Sequence, residues 1–204
     1  MPGVSSVLGI ILAAGRSSRM GRPKALLPLP ADGVSFVATA IRTLREGGVQ
    51  DLAVVGRPGD SELRREVVRS VPSVALLENP ASHLGQLSSL LVGIEYAEQI
   101  GAGSVMVLPV DIPLVRAATV AALLAASADR SQPIVRPRHC DRHGHPVLFA
   151  AAIFPELRTT DLSLGARAVL RRDPSRVIDV DVDDPGVLRD FDHPDDYRRL
   201  LAGE

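Results

Sequence analysis

The 204 residues are 46% hydrophobic and 23% charged, with a formal net charge of −1 at pH 7. Such a chain offers no basic field for nucleic acid or an anionic membrane, and 3% aromatics with no Trp give little on which to stack unpaired bases. Its apolar runs fall well short of the roughly 20 residues of a membrane helix, and a single cysteine, Cys140, excludes an internal disulfide and fits a reducing, cytoplasmic setting.

In chain order, short aliphatic runs at Val7–Leu12, Leu52–Gly56, Val74–Leu77, Val105–Leu108, Ile134–Arg136 and Val177–Val180 read as strands. Amphipathic stretches at Ser35–Glu46, Ser61–Val71, Gln86–Glu98, Ala117–Ala128, Gly165–Arg172 and Pro194–Ala202 read as helices. Near-continuous apolar strands alternating with helices predict an α/β fold: a mostly parallel central sheet with helices on both faces. Val7 to Gly15 is apolar and close to the start. No Lys or Arg precedes it and a Ser/Arg run follows, so it reads as a buried strand rather than a leader. In open sheets of this kind ligands bind at the carboxyl ends of strands, which directs attention to the loops after Leu12, Leu77 and Leu108 and to the last third of the chain.

The loop after Leu12 runs Ala13-Ala14-Gly15-Arg16-Ser17-Ser18-Arg19-Met20-Gly21-Arg22-Pro23-Lys24. Small residues leave backbone amides open to a close ligand, and four cations fall within nine residues, the composition of a polyphosphate cradle. It is neither a Walker A loop nor a dinucleotide fingerprint, so a nicotinamide oxidoreductase lacks its glycine signature. Lys24 is the one lysine among 23 basic residues. In a chain that otherwise uses arginine, it marks a place for a compact ammonium rather than a planar guanidinium.

This loop, continuing through Ala25-Leu26-Leu27, closely resembles the signature of the MobA-like nucleotidyltransferases, and within them the molybdenum cofactor cytidylyltransferases. The similarity returns at intervals to the C-terminus. It implies one domain over residues 1–204 with a Rossmann-like nucleotidyltransferase fold, NTP binding mainly in 1–115 and acceptor binding mainly in 116–204. It also implies transfer of a nucleoside monophosphate from an NTP to a phosphate, release of pyrophosphate, and use of Mg²⁺. By this likeness Arg19 and Lys24 hold the triphosphate, and Leu12, Ala13, Ala14 and Gly15 bind the nucleotide. The Ala-Ala-Gly form of the loop resembles cytidylyl-type members, whereas guanylyl-type members carry Ala-Gly-Gly. CTP is therefore expected before GTP, and molybdopterin phosphate is the expected acceptor, with a molybdoenzyme or its insertion chaperone as a further partner.

After the third strand, Asn79-Pro80 marks a turn, and Gly85, Ser88 and Ser89 lie near a helix start, where hydroxyls serve either as caps or as contacts to a base or ribose. A family segment of the form Gly-x-x-Ser-Ser-Leu assigns Asn79, Gly85, Ser88 and Ser89 to the nucleotide. In Leu108-Pro109-Val110-Asp111-Ile112-Pro113 a carboxylate emerges at a strand end between two prolines, a rigid hard-oxygen ligand suited to Mg²⁺, and it resembles the family's metal-binding aspartate.

Arg136 to Pro146 holds three His and one Cys within seven residues, but the spacing matches no usual structural zinc pattern. The Gly144-His145-Pro146-Val147-Leu148-Phe149 part resembles a segment beside the acceptor. Eight aspartates fall between Asp179 and Asp196. Asp183, Asp184, Asp195 and Asp196 read as a solvated face or as caps. Asp190-Phe191-Asp192-His193-Pro194 resembles a family element that supplies a second metal carboxylate, from either Asp190 or Asp192. Thr160 to Arg167 matches a family Gly-Asp-x-Gly-Ala-Arg pattern only loosely, which leaves the acceptor, to which Gly165 is assigned, less defined than the NTP. The alternatives are the same chemistry on a sugar phosphate or phospho-acid, the same chemistry with GTP, or a protein that carries or inserts molybdenum cofactor without catalysis.

Overall fold

The computed structural model describes residues 6–17, 20–71, 73–128 and 132–203. Eight strands form one sheet: β1 (Val7–Leu12), β2 (Asp51–Gly56), β3 (Ala75–Glu78), β4 (Ser104–Pro109), β5 (Ile134–His139), β6 (Arg142–His143), β7 (Val147–Ala150) and β8 (Val177–Asp181). The order is β3-β2-β1-β4-β7-β5-β6, with β8 beside β5. Strands β3, β2, β1 and β4 are mutually parallel, β7 runs against β4 and β5, and β8 is parallel to β5.

The helices are α1 (Phe36–Glu46), α2 (Ser61–Ser70), α3 (Gln86–Gln99), α4 (Ala117–Ser127), α5 (Phe154–Thr159), α6 (Arg167–Arg172) and α7 (Pro194–Ala202). Strand alternation splits the core in two. Leu8, Ile10 and Leu12 of β1 pack with Leu87, Leu90 and Ile94 of α3 and with Phe154 and Leu157 of α5. Ile11 of β1 joins Phe36, Ile41 and Leu44 of α1, Leu63 of α2 and Val120 of α4 on the other face.

The sheet is more mixed than the sequence pattern predicts. The sequence reading finds no strand at Val147–Ala150 and no helix at Phe154–Thr159, because each is too short to show a period. Antiparallel strands can be joined by a tight turn, and Cys140 and Asp141, both at positive φ, make that turn between β5 and β6. Among the described residues no helix is long and apolar enough to cross a membrane.

Asp184, expected on a solvated face or as a cap near Pro194, is in the structure a cap, but at α4. It is buried, at 2% exposure, and one carboxylate oxygen accepts from the Arg116 amide at 2.8 Å and the Thr119 hydroxyl at 2.7 Å, while the other accepts from the Gly186 amide at 3.0 Å. It thus caps α4 from a distant part of the chain, where no local side chain does so. Asp184→Ala leaves all three donors unpaired. It should lower unfolding stability by roughly 2–4 kcal/mol, read as a fall in the urea midpoint at unchanged slope.

Candidate functional site

The loop after β1 is anchored at both ends. The Ala13 amide donates to the Val55 carbonyl and the Val110 amide to the Leu12 carbonyl, so the carboxyl ends of β2, β1 and β4 are tied together. Ser17 turns the loop at φ 49°, and its hydroxyl accepts from the Lys24 amide at 3.0 Å. Lys24 opens a short 3₁₀ turn, Lys24–Leu26, which aims its amine back over the strand ends. There the ammonium donates to Asp111 Oδ2 at 3.2 Å and to Asp192 Oδ1 at 2.5 Å.

Asp192 reaches this point through a chain of contacts. The Phe191 amide donates to the Asp111 carbonyl at 2.9 Å. The Phe191 ring, 1% exposed, packs on Phe36 with centroids 5.6 Å apart. The Asp192 and His193 amides donate to one carboxylate oxygen of Asp196 at 3.1 and 2.7 Å. Asp196 is therefore a local cap for α7, and its neighbour Asp195 pairs with Arg198 on the surface.

Leu12, Ala13, Ala14, Gly15, Lys24, Gly85, Ser89, Asp111 and Asp192 all line one cavity of about 340 Å³. Asn79 and Ser88 support it from below instead. The buried Asn79 amide donates to the Ser88 and Ser89 hydroxyls at 2.9 and 3.0 Å, and Ser88 donates to the carbonyls of Gly85 and Ala81. Arg16 lines the cavity and Arg22 does not; Arg19 lies outside the described residues. Asp190 is exposed and off this wall. Its charge instead acts on His145, so of the two aspartates it is Asp192 that joins Asp111.

A second cavity, of about 1250 Å³, adjoins the first through Leu12, Gly85 and Gln86, which line both. His145 and Gly165 are on its wall. Pro146 follows His145 through a cis peptide and is buried off the wall. Among the described residues the wall also carries Arg136, Arg167 and Arg171 against a single acid, Asp161. Arg136 is paired with Asp179, whereas no ion pair joins Arg167 or Arg171 to a described residue. The sequence reading missed these arginines, and it missed Arg57 and Gln86 of the first cavity. Arg57 carried a usable signal, as the first residue past a buried strand on the side of the sheet where sites form.

The site fits a divalent cation by its donor chemistry. One ammonium bridges two carboxylates from the middle and the far end of the chain, so hard oxygens already converge, and Mg²⁺ takes one or two carboxylates with substrate phosphates. Among the described residues no group of three or more His, Cys, Asp or Glu could hold a metal, which is compatible with an ion completed by substrate. Burial raises the Asp111 carboxyl above its ordinary range, and the Lys24 charge opposes that shift.

A cavity floored by parallel strand ends, with a cation-bearing loop on one side and two converging carboxylates on the other, is an arrangement suited to a nucleoside triphosphate. The chain belongs to the MobA-like NTP transferase family, whose domain matches residues 9–177. It is 39% identical over 111 residues to a probable molybdenum cofactor guanylyltransferase of Rhodopirellula baltica, covering 52% of this chain and 49% of that protein. It is 28% identical over 202 residues to another so named from Opitutus terrae, covering 96% and 95%. The crystal structure of Rv0371c from Mycobacterium tuberculosis superposes with a TM-score of 0.77 at 30% identity over 97% of this chain and 98% of that one. A complex of the same protein with manganese superposes at 0.70 and 27%, over 97% and 98%.

His145 makes the site pH-sensitive. Burial, helped by the nearby Arg167 charge, depresses the imidazole from 6.5 to about 4, and among the described residues its buried Nδ1 has no hydrogen-bond partner. The unfolded chain therefore takes up a proton that the folded chain refuses. Stability contributed by the neutral ring is complete above pH 6.5 and is lost as pH falls toward 4, by up to about 3 kcal/mol. Urea midpoints at pH 7 and pH 4.5 should differ more in the native protein than in His145→Gln.

Proposed function

We propose that this protein moves a nucleoside monophosphate from an NTP, CTP in preference to GTP, to the terminal phosphate of a molybdopterin-type acceptor, and releases pyrophosphate. The observation that carries this reading is the Lys24 ammonium clasped by Asp111 and Asp192 on the rim of the first cavity. Nucleotidyl transfer is an in-line displacement at the α-phosphorus. It needs positioning and charge neutralisation more than covalent help from the protein.

In this proposal the NTP lies along the first cavity, with its triphosphate toward Lys24. The compact ammonium neutralises charge as it grows on the departing pyrophosphate. Arg19 is assigned to the same triphosphate by family likeness. Asp111 and Asp192 would hold Mg²⁺, which when bound offsets phosphate charge. The acceptor occupies the second cavity, where Arg136, Arg167 and Arg171 suit an anionic molecule and His145 and Gly165 shape the wall. Its phosphate meets the nucleotide where Leu12, Gly85 and Gln86 are shared. The nucleotide half is mainly 1–115 and the acceptor half mainly 116–204 of one domain, although residues 83–90 serve both. A molybdoenzyme or its insertion chaperone would receive the product in the cytoplasm.

Two of the relatives named above carry the name probable molybdenum cofactor guanylyltransferase, whereas Ala13-Ala14-Gly15 resembles the cytidylyl type. Ala14 lines the cavity, and a residue larger than glycine there supports the smaller base.

A matrix of NTPs against phosphate acceptors with Mg²⁺, read by pyrophosphate release, tests the reading; turnover with GTP but not CTP overturns the base. Ala14→Gly should move the ratio of kcat/KM values toward GTP by on the order of tenfold. Lys24→Ala should cut turnover by about three orders of magnitude with an unchanged circular dichroism spectrum. Lys24→Arg should not restore it, and full activity in Lys24→Ala would remove the mechanism.

A further inference from the structure

The strand order sets the two flanks of the first cavity apart. Asp111 follows β4 and Arg57 follows β2, on opposite flanks of the β1 loop. Two inter-strand spacings separate these flanks by roughly 10 Å, room for a ribose between a triphosphate at Lys24 and a base beyond. With the triphosphate at Lys24, Arg57 stands at the end left for the base.

Its guanidinium is steered from one side. Asp60 caps α2, accepting from the Leu63 amide at 3.0 Å through Oδ1, and this holds the carboxylate in place. Its Oδ2 then takes Arg57 Nη2 at 3.4 Å. One edge of the Arg57 fork is engaged while the side chain, 38% exposed, lines the cavity with donors to spare.

We propose that Arg57 is a specificity-determining residue that reads the base of the NTP, an inference that rests on the nucleotidyltransferase reading above. A guanidinium fork donates and never accepts, so it favours a base with two neighbouring acceptors. Cytosine presents O2 and N3 side by side, and guanine presents O6 and N7. Uracil puts an N–H between its carbonyls, and adenine sets an amino donor beside N7. Arg57 therefore selects cytosine and guanine against uracil and adenine, and the wall at Ala14 separates the two that remain.

The test measures kcat/KM for CTP, GTP, UTP and ATP by pyrophosphate release, in the native protein and in Arg57→Ala and Arg57→Lys, with thermal melts as a folding control. Arg57→Ala should lose roughly 10- to 100-fold on the preferred nucleotide and change little on UTP and ATP. Lysine, a point donor without the fork, should not restore the preference. An equal loss on all four nucleotides would make Arg57 a triphosphate contact and overturn the proposal, as would unchanged discrimination in an active variant. A native protein that turns over no NTP would instead sink the nucleotidyltransferase reading itself.

Discussion

One ammonium group holds the site together. Lys24 comes from the first loop of the chain, Asp111 from its middle and Asp192 from near its end, and all three meet at a single nitrogen. Two carboxylates brought this close would repel each other and, part-buried, would lose hydration as well. The cation between them makes the convergence tolerable. Asp111 shows the balance directly, since burial pushes its carboxyl up while the Lys24 charge pulls it down. A site arranged this way before any substrate arrives has already met much of the reorganisation that charge transfer would otherwise demand.

The apolar structure exists in part to bring these three segments into register. Phe36 opens α1 directly after its Ser35 cap, and its ring packs with those of both Phe191 and Tyr197. The Tyr197 hydroxyl donates to the Pro28 carbonyl at 2.7 Å, which ties α7 to the segment just past the Lys24 turn. Asp196 meanwhile fixes the backbone of Asp192 and His193. The second carboxylate is thus placed by aromatic packing and a helix cap that lie outside the cavity, so its precision depends on residues that touch no substrate.

Much of this was readable from residues alone, for identifiable reasons. The strands β1, β2, β4, β5 and β8 and helices α1–α4 and α7 follow long apolar or amphipathic patterns that burial on both faces of a sheet imposes. The lone lysine and the proline-flanked Asp111 stood out because their chemistry is unusual for their surroundings. What stayed hidden depends on tertiary placement. Asp184 looked like one of many surface aspartates until the fold brought it under α4. Asn79 and Ser88 have the polarity of ligand contacts, yet they satisfy one another beneath the wall. Asp190 and Asp192 alternate along one strip of chain, and only the docking of Phe191 decides which of them reaches Lys24.

The boundary between the two cavities comes down to a short piece of backbone. Gly85 adopts φ 102° and ψ −178°, a region open essentially to glycine alone, and it stands where the two cavities meet. The bend turns the chain from the 3₁₀ turn at Ser82–Leu84 directly into α3. It leaves no side chain in the passage, where an added Cβ would come within 3.8 Å of the Leu162 carbonyl on the far wall. The Ser88 hydroxyl, held by Asn79, donates to the Gly85 carbonyl at 2.7 Å and locks the bend. The polar network under the wall therefore shapes the boundary of both cavities from outside them, because it fixes the glycine bend that lines the two.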